Sequence, residues 1–323
     1  MMKSVAGLFA GFLTSACCAS LPNLPQKRTI VLPAPSGSHR VQESSAVWRD
    51  ESRSRDVPVR IYAPADVAPA PVVIFSHGIG EDRDSYAYLG RALAANGFMA
   101  VHVTHAGTDK AVLRQGYWKL YRATKKPENW RSRPLDITFV LDKLSERHDV
   151  DMTRVAVAGH SAGAFTAFAL AGARAPNGEM LLDRRVRVIV PMSAPRFEGI
   201  SYEEIAVPAL NITGTCDSSI IYRTRQRHRR IPFEQTGSPH QYLVTIEGVN
   251  HDVFSNATDP HHAVIVRLTI SFLRAWLLDD GEALAWFDDA GTAEVENDRL
   301  TVERRAPSRA GGGRGRPPLH TVR

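Results

Sequence analysis

Cysteine is nearly missing from this chain: three residues in 323, two of them adjacent at Cys17 and Cys18. Only Cys216 lies in the body of the sequence, so a domain that has shed its first residues has no intrachain disulfide to draw on. Such a domain must fold on its apolar core, and 43% hydrophobic residues over this length suffices for one large domain. Long apolar runs are missing as well; Val5–Leu13 (VAGLFAGFL) is too short to span a bilayer. No closely spaced His/Cys set of the kind zinc sites use is present, so neither a metal nor an organic cofactor is expected. There is no internal repeat. An excess of one charge is confined to the end of the chain. The net charge of +6 matches six arginines in 304–323 (RRAPSRAGGGRGRPPLHTVR), a segment without an acid. Taking those six from the 40 basic residues leaves 34 against 34 acidic ones. The body is therefore neutral, and nucleic acid is not an expected partner.

What the ends do contain is informative. Lys3, the apolar Val5–Leu13 and the small residues Ser15, Ala16 and Ala19 form the pattern of a secretory signal over 1–19. Two endings fit. Cleavage near Ala19 releases a soluble protein, whereas Thr14-Ser15-Ala16-Cys17 resembles a lipobox in which Cys17 would carry a lipid anchor. Either way the protein is expected to be exported: periplasmic, secreted or tethered to the membrane. Residues 20–40, rich in proline and serine, read as a linker. A catalytic domain is expected over 41–285 and a tail over 286–323, disordered from about 304 because glycine, proline and arginine build no core.

Between these ends, short β-branched runs alternate with longer helical patterns, the signature of a mostly parallel sheet with helices on both faces. Strands are expected at Val57–Tyr62, Val72–Ser76, Met99–Val103, Val155–Ala158, Val186–Val190, Ala209–Thr213 and Tyr242–Glu247. Helices are expected at Ser85–Asn96, Pro134–Arg147, Ala162–Ala173 and Ala263–Leu278. The runs VVIF, VAVA and VIV are apolar at every position, as strands buried on both faces are. Asp109–Arg133 interleaves aromatic and basic residues between a strand and a helix, where this architecture places binding loops. Tyr117 and Trp130 are accordingly the candidate substrate-lining residues. Arg223–Arg230 (RTRQRHRR) reads as a solvated basic helix face.

The chemistry centres on Gly159-His160-Ser161-Ala162-Gly163. The strand VAVA precedes it and the helical AGAFTAFALAGA follows, the setting of a nucleophile elbow and hence of an α/β-hydrolase fold. The glycines are needed because side chains two positions from the serine would collide with the neighbouring strand and helix. Serine is a poor nucleophile at its own pKa and needs a base and an orienting acid, which in this fold follow in the order acid, then histidine. Asp217 closes the turn Gly214-Thr215-Cys216-Asp217 after the strand at Ala209–Thr213; Asp183 follows a helix and is misplaced. His251 follows the strand at Tyr242–Glu247, while His240, His261 and His262 fall off that position and read as surface residues. Two backbone amides are needed for the oxyanion: Ala162, next after the nucleophile, and Ile79 in Ser76-His77-Gly78-Ile79-Gly80, where the flanking glycines let its N–H turn. His77 is expected to order that loop rather than act as a base.

The segments VVIFSHGIGEDRDSYAYLGRALAANGF, RPLDITFVLDKL, VAVAGHSAGAFTAFALAG and QYLVTIEGVNHDVFS together resemble the dienelactone-hydrolase-related hydrolases, and more distantly the platelet-activating-factor acetylhydrolases. The resemblance spans about residues 55–280. It implies catalytic roles for Ser161, Asp217 and His251, and an oxyanion role for the Ile79 amide. Dienelactone hydrolases use a cysteine nucleophile where this chain has Ser161, so lactone specificity is not implied. The expected function is hydrolysis of small carboxylic esters through an acyl-enzyme. An amidase or peptidase with the same machinery, or a non-catalytic binding protein that keeps the fold, are the alternatives.

Overall fold

A computed structural model describes residues 32, 37–219, 224–288, 291–295 and 298–305. The expected signal, the lipobox-like stretch at Cys17, most of the expected linker and the residues beyond 305 lie outside the described residues. In chain order the elements are β1 (Val41–Asp50), β2 (Arg55–Pro64), β3 (Ala70–Ser76), α1 (Ala87–Ala95), β4 (Met99–Val103), α2 (Lys110–Arg114), α3 (Tyr117–Ala123), α4 (Pro127–Ser145), β5 (Val150–His160) and α5 (Ala162–Ala171). There follow β6 (Val186–Met192), β7 (Ala209–Cys216), a 3-10 turn at Gln226–Arg230, α6 (Ile231–Gln235), β8 (Gln241–Asn250), α7 (His262–Leu277), α8 (Gly281–Asp288), β9 (Gly291–Val295) and β10 (Asp298–Arg304).

The strands form one sheet in the order β1-β2-β4-β3-β5-β6-β7-β8-β10-β9. The six central strands, β4 to β8, are parallel, and antiparallel strands flank them on both sides. Alternation along each strand divides the core. On β3, Val73 and Phe75 join the cluster under α1, α7 and α8, while Val72 and Ile74 join the one under α4 and α5. On β5, Ala156 and Ala158 point to the first face and Val155 and Val157 to the second. Such strands are apolar throughout because both faces are covered.

The seven strands and four helices read from the sequence all form. Three differences have physical causes. The helix expected from Pro134 begins at Pro127, which occupies the first helical turn where a missing N–H costs nothing; Pro134 then lies inside α4. Asp109–Arg133 is not a loop: it folds into α2, α3 and the first turns of α4. The boundary at 285 also falls short. β10 pairs antiparallel with β8, Leu300 opposite Ile246, and buries Leu300 and Val302 in the core, with β9 outside it. Alternation in RLTVER is too short and too charged to announce a strand without the open edge of β8 beside it. Among the described residues no helix is long and apolar enough to cross a membrane. Cys216, expected as the lone cysteine of the body, is the one cysteine among the described residues and closes β7. The chain's other two cysteines, Cys17 and Cys18, lie outside the described residues.

Candidate active site

Strand order reverses at β3, whose neighbours are β4 on one side and β5 on the other. In open α/β sheets ligands bind beside such a reversal, at the carboxyl ends of the strands. Register brings the expected residues to that edge. Ser76 at the end of β3 lies opposite Gly159, and His160 lies opposite Met192. Cys216 lies opposite Asn250, so that Asp217 and His251, one step beyond, come side by side.

Ser161 occupies the β5–α5 turn with φ 54 and ψ −116, a left-handed strain that a non-glycine residue adopts only when its surroundings impose it. Its N–H is held by Met192 O at 2.9 Å. A Cβ on Gly159 would meet the Gly163 backbone at 2.5 Å, and one on Gly163 would meet Ser76 O at 1.8 Å. Helix α5 thus abuts the end of β3 backbone to backbone, and its N-terminal partial positive charge falls at Ser161.

Around the acid the chain builds a dense set of donors. Asp217 is fully buried, and its Oδ2 accepts from Thr213 Oγ1 at 2.7 Å. Its Oδ1 accepts from Arg229 Nη2 at 2.8 Å and Ser193 Oγ at 2.9 Å, and lies 3.2 Å from His251 Nδ1. Burial alone would raise this carboxyl, but the Arg229 guanidinium and the hydrogen bonds from His251 and Thr213 outweigh it and hold the pKa well below the usual carboxylate range. The side of the His251 ring that carries Nδ1 is thereby committed to Asp217, Ser193 and Arg229, the last two at 2.6 and 3.0 Å. Nε2 is left for other work. The ring lies 4.8 Å, centroid to centroid, from His160, the residue before Ser161. Among the described residues no hydrogen bond of 3.5 Å or less joins the Ser161 hydroxyl to the ring, a looseness common where substrate is absent.

In the loop after β3, Gly78 N–H donates to Glu81 Oε2 at 2.8 Å and Gly80 N–H to Thr108 O at 2.8 Å. The Ile79 and Ala162 amides have no acceptor among the described residues, which leaves both available to an oxyanion. His77 does order the loop. Its Nε2 accepts from His105 N–H at 3.0 Å, so Nδ1 carries the proton and donates to Gly78 O at 2.6 Å. Of the two aromatic candidates, Trp130 lines a cavity together with Phe165 and Phe197. Tyr117 does not line it; it stands 54% exposed at the start of α3.

Two buried arginines were not legible as site residues. Arg229, read as part of a solvated basic face, is 1% exposed and also donates to Ser193 O and Ala194 O at 2.8 and 2.7 Å. Its run of basic neighbours disguised it, since only the fold tells which of them turns inward. Arg133, fully buried, donates to Thr108 Oγ1 at 2.8 Å and Ser76 Oγ at 3.2 Å, and also to His77 O. It belongs to a second Ser–His–Asp set: Ser76 Oγ lies 3.0 Å from His105 Nε2, and His105 Nδ1 lies 3.1 Å from Asp136 Oδ2. All three are sealed from solvent. Arg53 and Arg55 bind Asp136 at 2.8 and 2.7 Å, so this set is a scaffold for the loop after β3 and cannot meet substrate.

Burial pushes His102 and His105 down to about 4, the second helped by the charge of Arg133, and it holds His77 and His160 well below the usual imidazole value. Each is therefore neutral in the folded protein at neutral pH. With folded values below the unfolded 6.5, their stabilising contribution is full above about pH 6.5. It is lost as pH falls toward 4, where the unfolded chain takes up protons first. His102 and His105 should each remove about 2 kcal/mol between pH 7 and pH 5. Urea midpoints at pH 7, 6 and 5 test this; an unchanged midpoint would mean that the imidazoles titrate freely in the folded state.

Residues 34–182 match the family described as Chlorophyllase. The chain is also similar to the bifunctional acetylxylan esterase/xylanase XynS20E of Neocallimastix patriciarum, at 24% identity over 180 residues. That alignment takes in 54% of this chain and 23% of the relative, so the chain spans about a quarter of the relative it matches. The parallel sheet, its covering helices and the turn at Ser161 give the chain an α/β-hydrolase fold, and these likenesses support a hydrolase of that superfamily.

Proposed function

We propose that this α/β-hydrolase superfamily member cleaves carboxylic esters of small molecules through Ser161, His251 and Asp217. The observation that carries the reading is the convergence of three loops. The strained Ser161 turn, the acid after β7 and the imidazole after β8 meet at one edge of the sheet, with Nδ1 of the ring turned toward the carboxylate. In the reaction, Ser161 Oγ bonds to the ester carbonyl carbon while His251 Nε2 takes the hydroxyl proton. Asp217 holds Nδ1–H and favours the imidazolium; the Ile79 and Ala162 N–H groups receive the carbonyl oxygen as it becomes an oxyanion. The C–O bond to the alcohol breaks, the imidazolium protonates the leaving oxygen, and an acyl-Ser161 remains. Water, deprotonated by the same ring, then attacks the acyl carbon; the bond to Ser161 Oγ breaks, the imidazolium returns its proton to that oxygen, and the acid leaves. The relative's name, which includes acetylxylan esterase, supports an ester bond as the target. The pattern at Lys3 and Val5–Leu13 supports export of the protein.

Esters should be cleaved far faster than the matching anilides, because alkoxide departure needs less protonation than amine departure. Paired p-nitrophenyl acetate and p-nitroacetanilide assays, with fluorophosphonate labelling of Ser161 followed by peptide mapping, test the assignment. Label on another residue would overturn it. Comparable rates on both substrates would reassign the chain to the amidases.

A further inference from the structure

One cavity is not used by the chemistry above. About 520 Å³ in volume, it lies against the helix face of the sheet that carries α4 and α5. Its walls include Trp130, Phe165, Phe197, Ala169 and Ala173. The three rings pack edge to face or tilted, with centroids 4.7 to 5.5 Å apart, and Trp130 Nε1 is satisfied by Thr124 O at 2.8 Å. The charged pair at its rim, Arg131 and Glu179, is closed on itself at 2.6 Å. Lys125, Asn177 and Glu198 also border it, but most of the wall is apolar, and an ionic or heavily hydroxylated ligand would lose more hydration than it recovers there.

Two walls begin at the proposed reaction centre. Phe165 stands four residues after Ser161 on α5, about 6 Å of helix rise, and Ala169 follows one turn further along the helix. Phe197 stands four residues after Ser193, whose hydroxyl touches both His251 and Asp217. We infer that the cavity binds the hydrocarbon part of the ester, an elongated apolar chain whose carbonyl end lies at Ser161. The inference rests on Ser161 being the nucleophile. Its volume falls in the range of small-molecule sites, and an eight-carbon chain running along α5 is of the right size.

The test compares kcat/KM for p-nitrophenyl esters from acetate to octanoate, which lengthen the acyl side, with acetate esters of ethanol to octanol, which lengthen the alcohol side. Burying a methylene is worth roughly fourfold, so one series should rise at least 100-fold from its shortest member to its eight-carbon one. The series that rises identifies which half of the ester enters. Ala169→Phe, which fills the cavity, should lower the long-to-short kcat/KM ratio at least 20-fold. Phe197→Ala, which widens it, should shift the preferred length upward. In Ser161→Ala protein, 1-octanol should quench tryptophan emission, and Trp130→Phe should remove that response. A long-to-short ratio that neither cavity variant alters, in enzyme that still depends on Ser161, would overturn the inference. Activity that survives Ser161→Ala would instead overturn the assignment of the nucleophile, and the octanol titration would still report on the cavity.

Discussion

Replacing Ser161 with alanine should lower turnover of a p-nitrophenyl ester by at least three orders of magnitude, about 4 kcal/mol of transition-state stabilisation. The fold should survive. The strain at φ 54 belongs to the backbone, held by Met192 O, and alanine meets it at no greater cost than serine. The contacts that keep the turn in place are made by the bare Gly159 and Gly163 against Ser76 and each other, and the substitution leaves them intact. A residual rate above that of water is expected from the Ile79 and Ala162 amides alone. Steady-state kinetics beside a urea melt decides the matter. A well-folded Ser161→Ala protein with more than a tenth of the original turnover would exclude this serine as the nucleophile.

Asp217→Ala should cost both activity and stability. On the catalytic side the imidazole loses its orienting partner, and a fall of about 10⁴-fold in kcat is the scale for a misplaced tautomer. On the structural side the buried Arg229 loses the carboxylate 2.8 Å away and keeps carbonyl oxygens in its place. Removing one member of a buried ion pair typically costs 3–5 kcal/mol. Asp217→Asn separates the two effects. An amide can still accept from Thr213 or Arg229, so more of the stability returns, while its NH₂ set against donors leaves His251 badly oriented. Should Asp217→Asn retain nearly full turnover, another carboxylate would have to back the ring.

Much of this arrangement could be read from the chain alone, for identifiable reasons. The central strands were legible because burial on both faces leaves runs such as VVIF and VAVA, and Ser161 because its turn tolerates only glycine at two positions. The strand-end placement of Asp217 and His251 followed from counting strands. Arg229, Arg133 and Ser193 were not legible. Each acts through partners 12 to 58 residues away, and nothing local distinguishes a buried arginine from a solvated one. Strands β1, β9 and β10 were missed for a related reason: they lie at or next to the margins of the sheet, and only the neighbour each pairs with reveals them.

Arg229 joins what the chain keeps apart. Its guanidinium grips the carbonyls of Ser193 and Ala194 after β6 and the carboxylate after β7, which in turn holds the imidazole after β8. Three loops are thereby riveted together, and one of them continues directly into Phe197. Altering the hydrocarbon slot from that side would tug on the proton-transfer machinery, whereas remodelling through α4 or the far end of α5 would not. On the proposed reading of the cavity, selectivity is therefore most freely retuned from the wall that the arginine does not hold.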